Sequence, residues 1–261
     1  MPQINHFAWF FPTVFLFCIA AYFFGGVLFS PIFGKLLSKN IRNEGSKNAG
    51  ATNLIRTTNN KVIGIAASCC DMLKSFFPIF FLWLVIKLVF TGEYWHTTNL
   101  AFGALIFLPG VFAVIGHWIP FLYVFHFFKN GCRKENLQSY CGGKGVSTFA
   151  GIIISFSPWI MLIGVTLFFS IALLTHYVSL SSLITSLTMA LLVWVKPLDL
   201  IYLKVWDDSS LIFQHEWYFI GLVFLFLLSC VVIIWYAHRK NIVRLFKGTE
   251  SKAFVKKQKQ A

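Results

Sequence analysis

Three polar stretches of this sequence combine residue types able to hold a phosphate. The first runs Gly45-Ser46-Lys47-Asn48-Ala49-Gly50-Ala51-Thr52-Asn53-Leu54-Ile55-Arg56. Its small residues let the backbone approach a ligand closely. Ser46, Asn48, Thr52 and Asn53 offer neutral hydrogen bonds. Lys47 and Arg56 offer charge, and the Arg fork matches two phosphate oxygens. The second runs Gly142-Gly143-Lys144-Gly145-Val146-Ser147-Thr148 into an apolar segment. Three Gly around one Lys, with hydroxyls at a helix start, make a cradle where backbone N–H groups and the helix dipole point at an anion. The spacing is not that of a Walker A loop. The third, His238-Arg239-Lys240-Asn241-Ile242-Val243-Arg244-Leu245, follows the last apolar segment. On a continuing helix His238 and Asn241 share a face, and His238 can take a proton or orient a hydroxyl. Each stretch also has a plainer reading. The first two would be loops that set topology by charge, and the third a basic helix end at lipid headgroups, which is the preferred reading of that stretch taken alone.

Other polar residues lie within apolar surroundings. Asp71 and Lys74 stand three residues apart. Ionisable groups at such depth are costly and normally paired, so they form a structural pair or brace a site from below; the structural pair is the preferred reading. His117 precedes Trp118-Ile119-Pro120 and reads as an interfacial or packing residue. Cys132, Cys141 and His126 match no common zinc spacing and lack a fourth ligand, so no metal or cofactor is expected. Cys18, Cys69, Cys70 and Cys230 lie in apolar segments and read as small hydrophobes.

The elements that carry these stretches are membrane helices. The 261 residues are 57% hydrophobic and 12% charged, against ~25% charged in a soluble domain. Apolar segments fall near residues 7–29, 62–90, 100–125, 149–175, 178–203 and 215–237. The longer of them exceed the ~18 apolar residues that mark a span. The net charge of +13 comes from Lys and Arg flanking these segments. That pattern is the positive-inside rule rather than a nucleic-acid surface. Stretches 35–61, 126–147 and 238–261 are basic and read as cytoplasmic, while 91–99 and 199–216 read as external. Residues 1–8 carry no Lys or Arg, which argues against a cleavable signal peptide and places the N-terminus outside.

An outside N-terminus and an inside C-terminus require an odd number of crossings. Splitting 149–175 at Ser157-Pro158 supplies one, because Pro removes a backbone donor and restricts the residue before it. The expected architecture is an all-α integral membrane protein with seven transmembrane helices. In it a short helix lies near 149–157, His176 to Ser182 are cytoplasmic, and 183–203 leads out again. The rival count is five. One transmembrane domain would occupy 1–261.

Taken together and in order, the three motifs resemble the PlsY family of acyl-phosphate:glycerol-3-phosphate acyltransferases. Asp71-x-x-Lys74, Gly116-His117-x-x-Pro120, Ser157-Pro158, Tyr177-Val178-Ser179-Leu180-x-Ser182 and Lys247-Gly248-Thr249-Glu250 support the likeness. It covers nearly the whole chain and implies seven helices with the N-terminus outside. It implies transfer of a fatty acyl group from acyl phosphate to the 1-hydroxyl of sn-glycerol 3-phosphate, the first step of phospholipid synthesis, at the cytoplasmic face of a bacterial inner membrane. Carried over residue by residue, Ser46, Asn48, Asn53, Arg56 and Ser182 would bind glycerol 3-phosphate. Gly142, Gly143, Lys144, Gly145 and Thr148 would bind acyl phosphate, and Lys144, His238 and Asn241 would be catalytic. Membrane lipids and a peripheral enzyme making acyl phosphate would be partners. The sequence departs from the family at Lys47, where Gly is usual, and at His176, where Arg is usual. It also carries an insertion at 126–140 and a longer loop at 199–216. Two other classes fit less well. An anion transporter would show paired halves, and an acyl-CoA acyltransferase of the H-x-x-x-x-D type would show that spacing; neither is present.

Overall fold

The computed structural model describes residues 6–89, 103–130, 140–195 and 216–253, and among these every regular element is helical. In chain order they are α1 (His6–Gly25), α2 (Phe29–Leu36), α3 (Ala51–Thr58), α4 (Lys61–Val89), a 3₁₀ turn (Leu105–Phe107), α5 (Leu108–Trp118), α6 (Phe121–Asn130), α7 (Val146–Phe156), α8 (Pro158–Thr175), α9 (Val178–Leu192), α10 (Glu216–Ala237) and α11 (Arg239–Phe246). The expected external stretch 91–99, residues 199–215 and the inserted residues 131–139 lie outside the described residues.

Among the described residues, four segments are long and apolar enough to cross a membrane: Trp9–Leu36, Lys61–Val89, Pro158–Thr175 and Tyr218–Ala237. The pair α5–α6, bent by 50°, makes a fifth if counted as one span. The surface is apolar and much of the polar chemistry is inside. Phe15, Leu16, Leu162, Leu174, Leu225 and Val232 are exposed, whereas Asp71, Lys74, His117 and Ser155 are buried. That inversion suits a lipid surround, where ionisable side chains turn inward.

Small residues let the helices approach closely, as expected where packing rather than hydrophobicity drives association. A Cβ at Gly116 would strike the Tyr22 carbonyl, which sets α5 directly against α1. A Cβ at Gly151 would strike the Met72 carbonyl, and the Ser75 hydroxyl donates to the Thr148 carbonyl, which sets α7 against α4. The largest core gathers Ile79, Val111, Phe149, Ile152, Ile160, Val223, Leu227 and Ile234 from α4, α5, α7, α8 and α10.

The breaks follow local chemistry. Pro120 separates α5 from α6, so the apolar run 100–125 is not one straight helix. The run 149–175 does break at Ser157: its side chain accepts from the Ile160 amide and Pro158 occupies the first helical position. His176, with φ +63°, ends α8. Here the expected boundary is corrected. The link to α9 is two residues, and the helix starts at Val178 rather than 183. The Ser-rich stretch does not end the helix because the hydroxyls of Ser181 and Ser182 bond back to the carbonyls of Tyr177 and Val178.

Candidate active site

The Gly-rich loop precedes α7. Gly145 sits at its N-cap with φ +81°, a left-handed position that strains any side chain. Its carbonyl accepts from the Phe149 amide at 2.8 Å. One residue earlier, Lys144 extends toward α11, where its Nζ donates to Asn241 Oδ1 at 2.7 Å. The Asn241 amide nitrogen donates to Ser179 Oγ at 2.9 Å and to Glu250 Oε1 at 2.6 Å. The other Glu250 oxygen accepts from Arg244 Nε at 2.7 Å. Four separate parts of the chain therefore meet: the Gly-rich loop, the start of α9, α11, and the tail after it.

That tail is folded back by a left-handed turn. Gly248 has φ +67°, and the Thr249 amide donates to the Arg244 carbonyl at 2.8 Å, the six-to-one bond of a Schellman end. The Ala253 amide then donates to the His176 carbonyl at 2.8 Å. The turn delivers Glu250 beneath α11.

The electrostatics favour anions. Partial burial pushes the Lys144 ammonium down from 10.5 to about 8; Glu250 opposes this, while Arg244 and Arg56 add to it. The three cations thus share one field. Burial acts to raise the Glu250 carboxyl, but the hydrogen bonds from Ser179, Asn241 and Arg244 outweigh it and hold it below 4.5. Glu250 is a charged anchor fully engaged by protein.

His238 caps α11 and is buried. Its Nδ1 lies 2.8 Å from the Ile234 carbonyl. A carbonyl only accepts, so Nδ1 carries the proton and Nε2 keeps its lone pair. Burial, with the Lys144 charge, pushes its pKa down to about 4. The ring is a neutral acceptor at physiological pH.

The first loop is organised by Asn53. Its amide nitrogen donates to the carbonyls of Ile41 at 2.7 Å, Asn48 at 3.1 Å and Glu44 at 3.2 Å, while Oδ1 accepts from the Ser46 amide at 2.7 Å. Ser46 on the loop and Arg56 on α3 are exposed. Arg56 Nη2 reaches Ser251 Oγ at 3.5 Å, on the tail that also bears Glu250. Arg42 ties the two loops together through Nη1 to the Cys141 carbonyl at 2.6 Å.

The family model for glycerol-3-phosphate acyltransferase matches residues 15–248. The chain belongs to the glycerol-3-phosphate acyltransferase family. A glycerol-3-phosphate acyltransferase of Malacoplasma penetrans is 34% identical over 260 residues, covering 94% of this chain and 95% of its own. One of Mycoplasma pneumoniae is 33% identical over 236 residues, covering 90% and 92%. Crystal structures of PlsY, an integral membrane glycerol 3-phosphate acyltransferase, match at 25% identity. Its glycerol 3-phosphate form has a TM-score of 0.64 and covers 92% of this chain and 95% of its own; its lysophosphatidic acid form has 0.65, with 92% and 94%. This is an enzyme family of integral membrane proteins in lipid synthesis.

Within this acyltransferase, Lys144 and Asn241 are hydrogen-bonded, while Arg56 and His238 lie close enough for their electrostatics to couple to Lys144. Ser182 does not join the Lys144–Asn241 hydrogen-bond network; Ser179, one turn earlier on α9, does. The Thr148 hydroxyl is buried without a hydrogen-bond partner among the described residues. Sequence reasoning had not placed Ser179, Arg244 or Glu250 in the site, although the Lys247-Gly248-Thr249-Glu250 motif carried the signal: an acid just past a Gly that turns the chain.

Proposed function

We propose that this acyltransferase uses a long-chain acyl phosphate as donor and acylates the 1-hydroxyl of sn-glycerol 3-phosphate. The products are 1-acyl-glycerol 3-phosphate and inorganic phosphate. The observation that carries the reading is the pairing of a cationic cluster with a weakly basic His238. Lys144, Arg56 and Arg244 face one site with a single, already engaged carboxylate, as two phosphate-bearing substrates require. A histidine at about pKa 4 is a poor base. A mixed anhydride is activated enough to be attacked by a hydroxyl with only weak help from such a base, and its phosphate leaves without a proton donor.

In this mechanism the hydroxyl oxygen attacks the acyl carbon, the carbon–oxygen bond to phosphate breaks, and the hydroxyl proton passes to His238 Nε2 or to phosphate. Ser46 and Arg56 hold the phosphate of glycerol 3-phosphate, with Asn48 and Ser182 adding polar contacts. Lys144 and the amides of Gly142 and Gly145, at the α7 N-terminus bearing Thr148, hold acyl phosphate and its developing oxyanion. Asn241 orients Lys144. Two of the expected ligand contacts take other roles. The Gly143 amide already donates to the His117 carbonyl at 3.0 Å, and the Asn53 amide is occupied by its own loop; both shape the site.

The same reading has seven crossings, from the five candidate spans together with α7 and α9, and a single transmembrane domain. It puts the N-terminus outside and the site at the cytoplasmic face of a bacterial inner membrane, where a peripheral enzyme supplies acyl phosphate. Its support is that the described parts of the three basic stretches touch one another, through Arg42 to the Cys141 carbonyl, Arg56 to Ser251 and Lys144 to Asn241. The test is turnover by purified protein of glycerol 3-phosphate with palmitoyl phosphate and, separately, palmitoyl-CoA. Phosphate release and lysophosphatidate formation with palmitoyl phosphate alone are expected. Turnover with palmitoyl-CoA alone overturns the donor assignment.

A further inference from the structure

The loop bearing Lys144 rests on a buried ionic group for which the proposed chemistry has no use. Lys74 Nζ lies 2.6 Å from Asp71 Oδ1, 3.2 Å from His117 Nδ1 and 3.3 Å from the Gly25 carbonyl. None of the three side chains is more than 4% exposed, so the group is closed off from the outer surface. An ammonium paired with a carboxylate has only donors. His117 Nδ1 must therefore accept, and the imidazole proton sits on Nε2. That edge of the ring faces Gly143, where a Cβ would collide with Nε2. The Gly143 amide donates to the His117 carbonyl. One residue thus holds the loop twice, by its backbone and by its ring, immediately before Lys144.

Buried ion pairs contribute little to stability compared with apolar packing, and at membrane depth they are costlier still. We infer that His117, its ring locked by Lys74 and Asp71, is a positioning residue that sets the place of Gly143 and Lys144 and through them the binding of acyl phosphate. The inference rests on the donor reading above. It also gives Gly143 a reason to be glycine that owes nothing to backbone freedom: a side chain there has no room beside the ring.

The test uses full-length protein with His117→Asn, Gly143→Ala and the two combined, each checked by thermal unfolding. Asn keeps an oxygen for Lys74 but lacks the ring edge at Gly143. His117→Asn is expected to unfold near the parent temperature and raise the KM for palmitoyl phosphate ~10-fold, with the KM for glycerol 3-phosphate unchanged. Gly143→Ala should lose ~100-fold in kcat/KM for palmitoyl phosphate. The combination should cost less than the two losses together, because the smaller Asn leaves room for the methyl. Equal rises in both KM values, no rise in either, or strictly additive losses would overturn the inference. If His117→Asn fails to fold, Gly143→Ala, which leaves the ionic group intact, decides by the same KM split. Should the parent protein turn over only acyl-CoA, the donor reading fails, while the coupling between positions 117 and 143 is still read on that donor's KM.

Discussion

Lys144 and Asn241, 97 residues apart in the chain, meet at 2.7 Å, and the orientation of the amide between them is dictated by its other partners. Its nitrogen faces Ser179 and Glu250, so only Oδ1 is left for the lysine. The ammonium is held at one point of the site without being neutralised.

Lys144→Ala should therefore lower kcat by ~10²–10³ while leaving the protein folded and membrane-inserted, the usual loss for one oxyanion or phosphate donor. Steady-state turnover beside a thermal unfolding curve checks this. Near-parent turnover would show that the Gly-rich loop only sets topology.

The pH dependence separates binding from folding. If acyl phosphate is the donor, as proposed, it needs the charged Lys144, so kcat/KM for the donor in the free enzyme should fall as pH rises through about 8. Folding has the opposite sign. The folded value lies below the unfolded 10.5, so the unfolded chain holds more protons between about 8 and 10.5, and Lys144's contribution to stability rises with pH there. Lys144→Arg should move the activity limb to higher pH. His238, pushed down to about 4, should leave no limb near 6.5.

Arg56 and His238 should fail differently. Arg56 lies on α3, and the proposed mechanism sets it at the phosphate of glycerol 3-phosphate, remote from the reacting carbon, so Arg56→Ala should mainly raise the KM for glycerol 3-phosphate. On the proposed mechanism His238→Ala removes an acceptor near the attacking hydroxyl and should mainly lower kcat. Kinetics at saturating acyl phosphate distinguish them; an unchanged glycerol 3-phosphate KM in Arg56→Ala would force the two loops to exchange roles.

Glu250→Ala should both destabilise and inactivate. It strands the buried donors of Asn241 and Ser179, a loss of ~1–3 kcal/mol, and frees the Asn241 amide to turn away from Lys144. Asn241→Ala in the same background should add little further loss of turnover, because the two act through one arrangement.

Lys47 holds φ +58°, a conformation that costs a side-chain-bearing residue ~1 kcal/mol. Lys47→Gly should therefore leave activity intact and raise stability slightly, read as a small increase in unfolding temperature. A decrease would mean that the Lys47 charge matters more than its backbone.

The membrane class and the break at Ser157-Pro158 were legible in the sequence, and two of the proposed site's segments could be singled out there, because each rests on local chemistry: runs of apolar residues, a proline that cannot continue a helix, and clusters of Gly with cations. Lys144 and Arg56 could be singled out for the same reason, whereas His238 and Asn241 alone read as a basic helix end and entered only through the likeness of all three motifs together. Distances through space could not be read there. Nothing local says that Glu250 returns beneath Asn241, since that depends on the turn at Gly248 and on where α9 places Ser179. Nor does sequence spacing show that Asn53 spends its amide on its own loop, or that α9 begins at Val178, because serine hydroxyls satisfied by carbonyls one turn back read as polar loop. His117 is the sharpest case. Alone it is a histidine near a proline at a helix end; only the packing of α4 against α5 brings Lys74 to one side of its ring, and only the fold of the Gly-rich loop brings Gly143 to the other. Residue types determine which chemistry is available, and the close approach of helices permitted by Gly116 and Gly151 decides which of those residues touch.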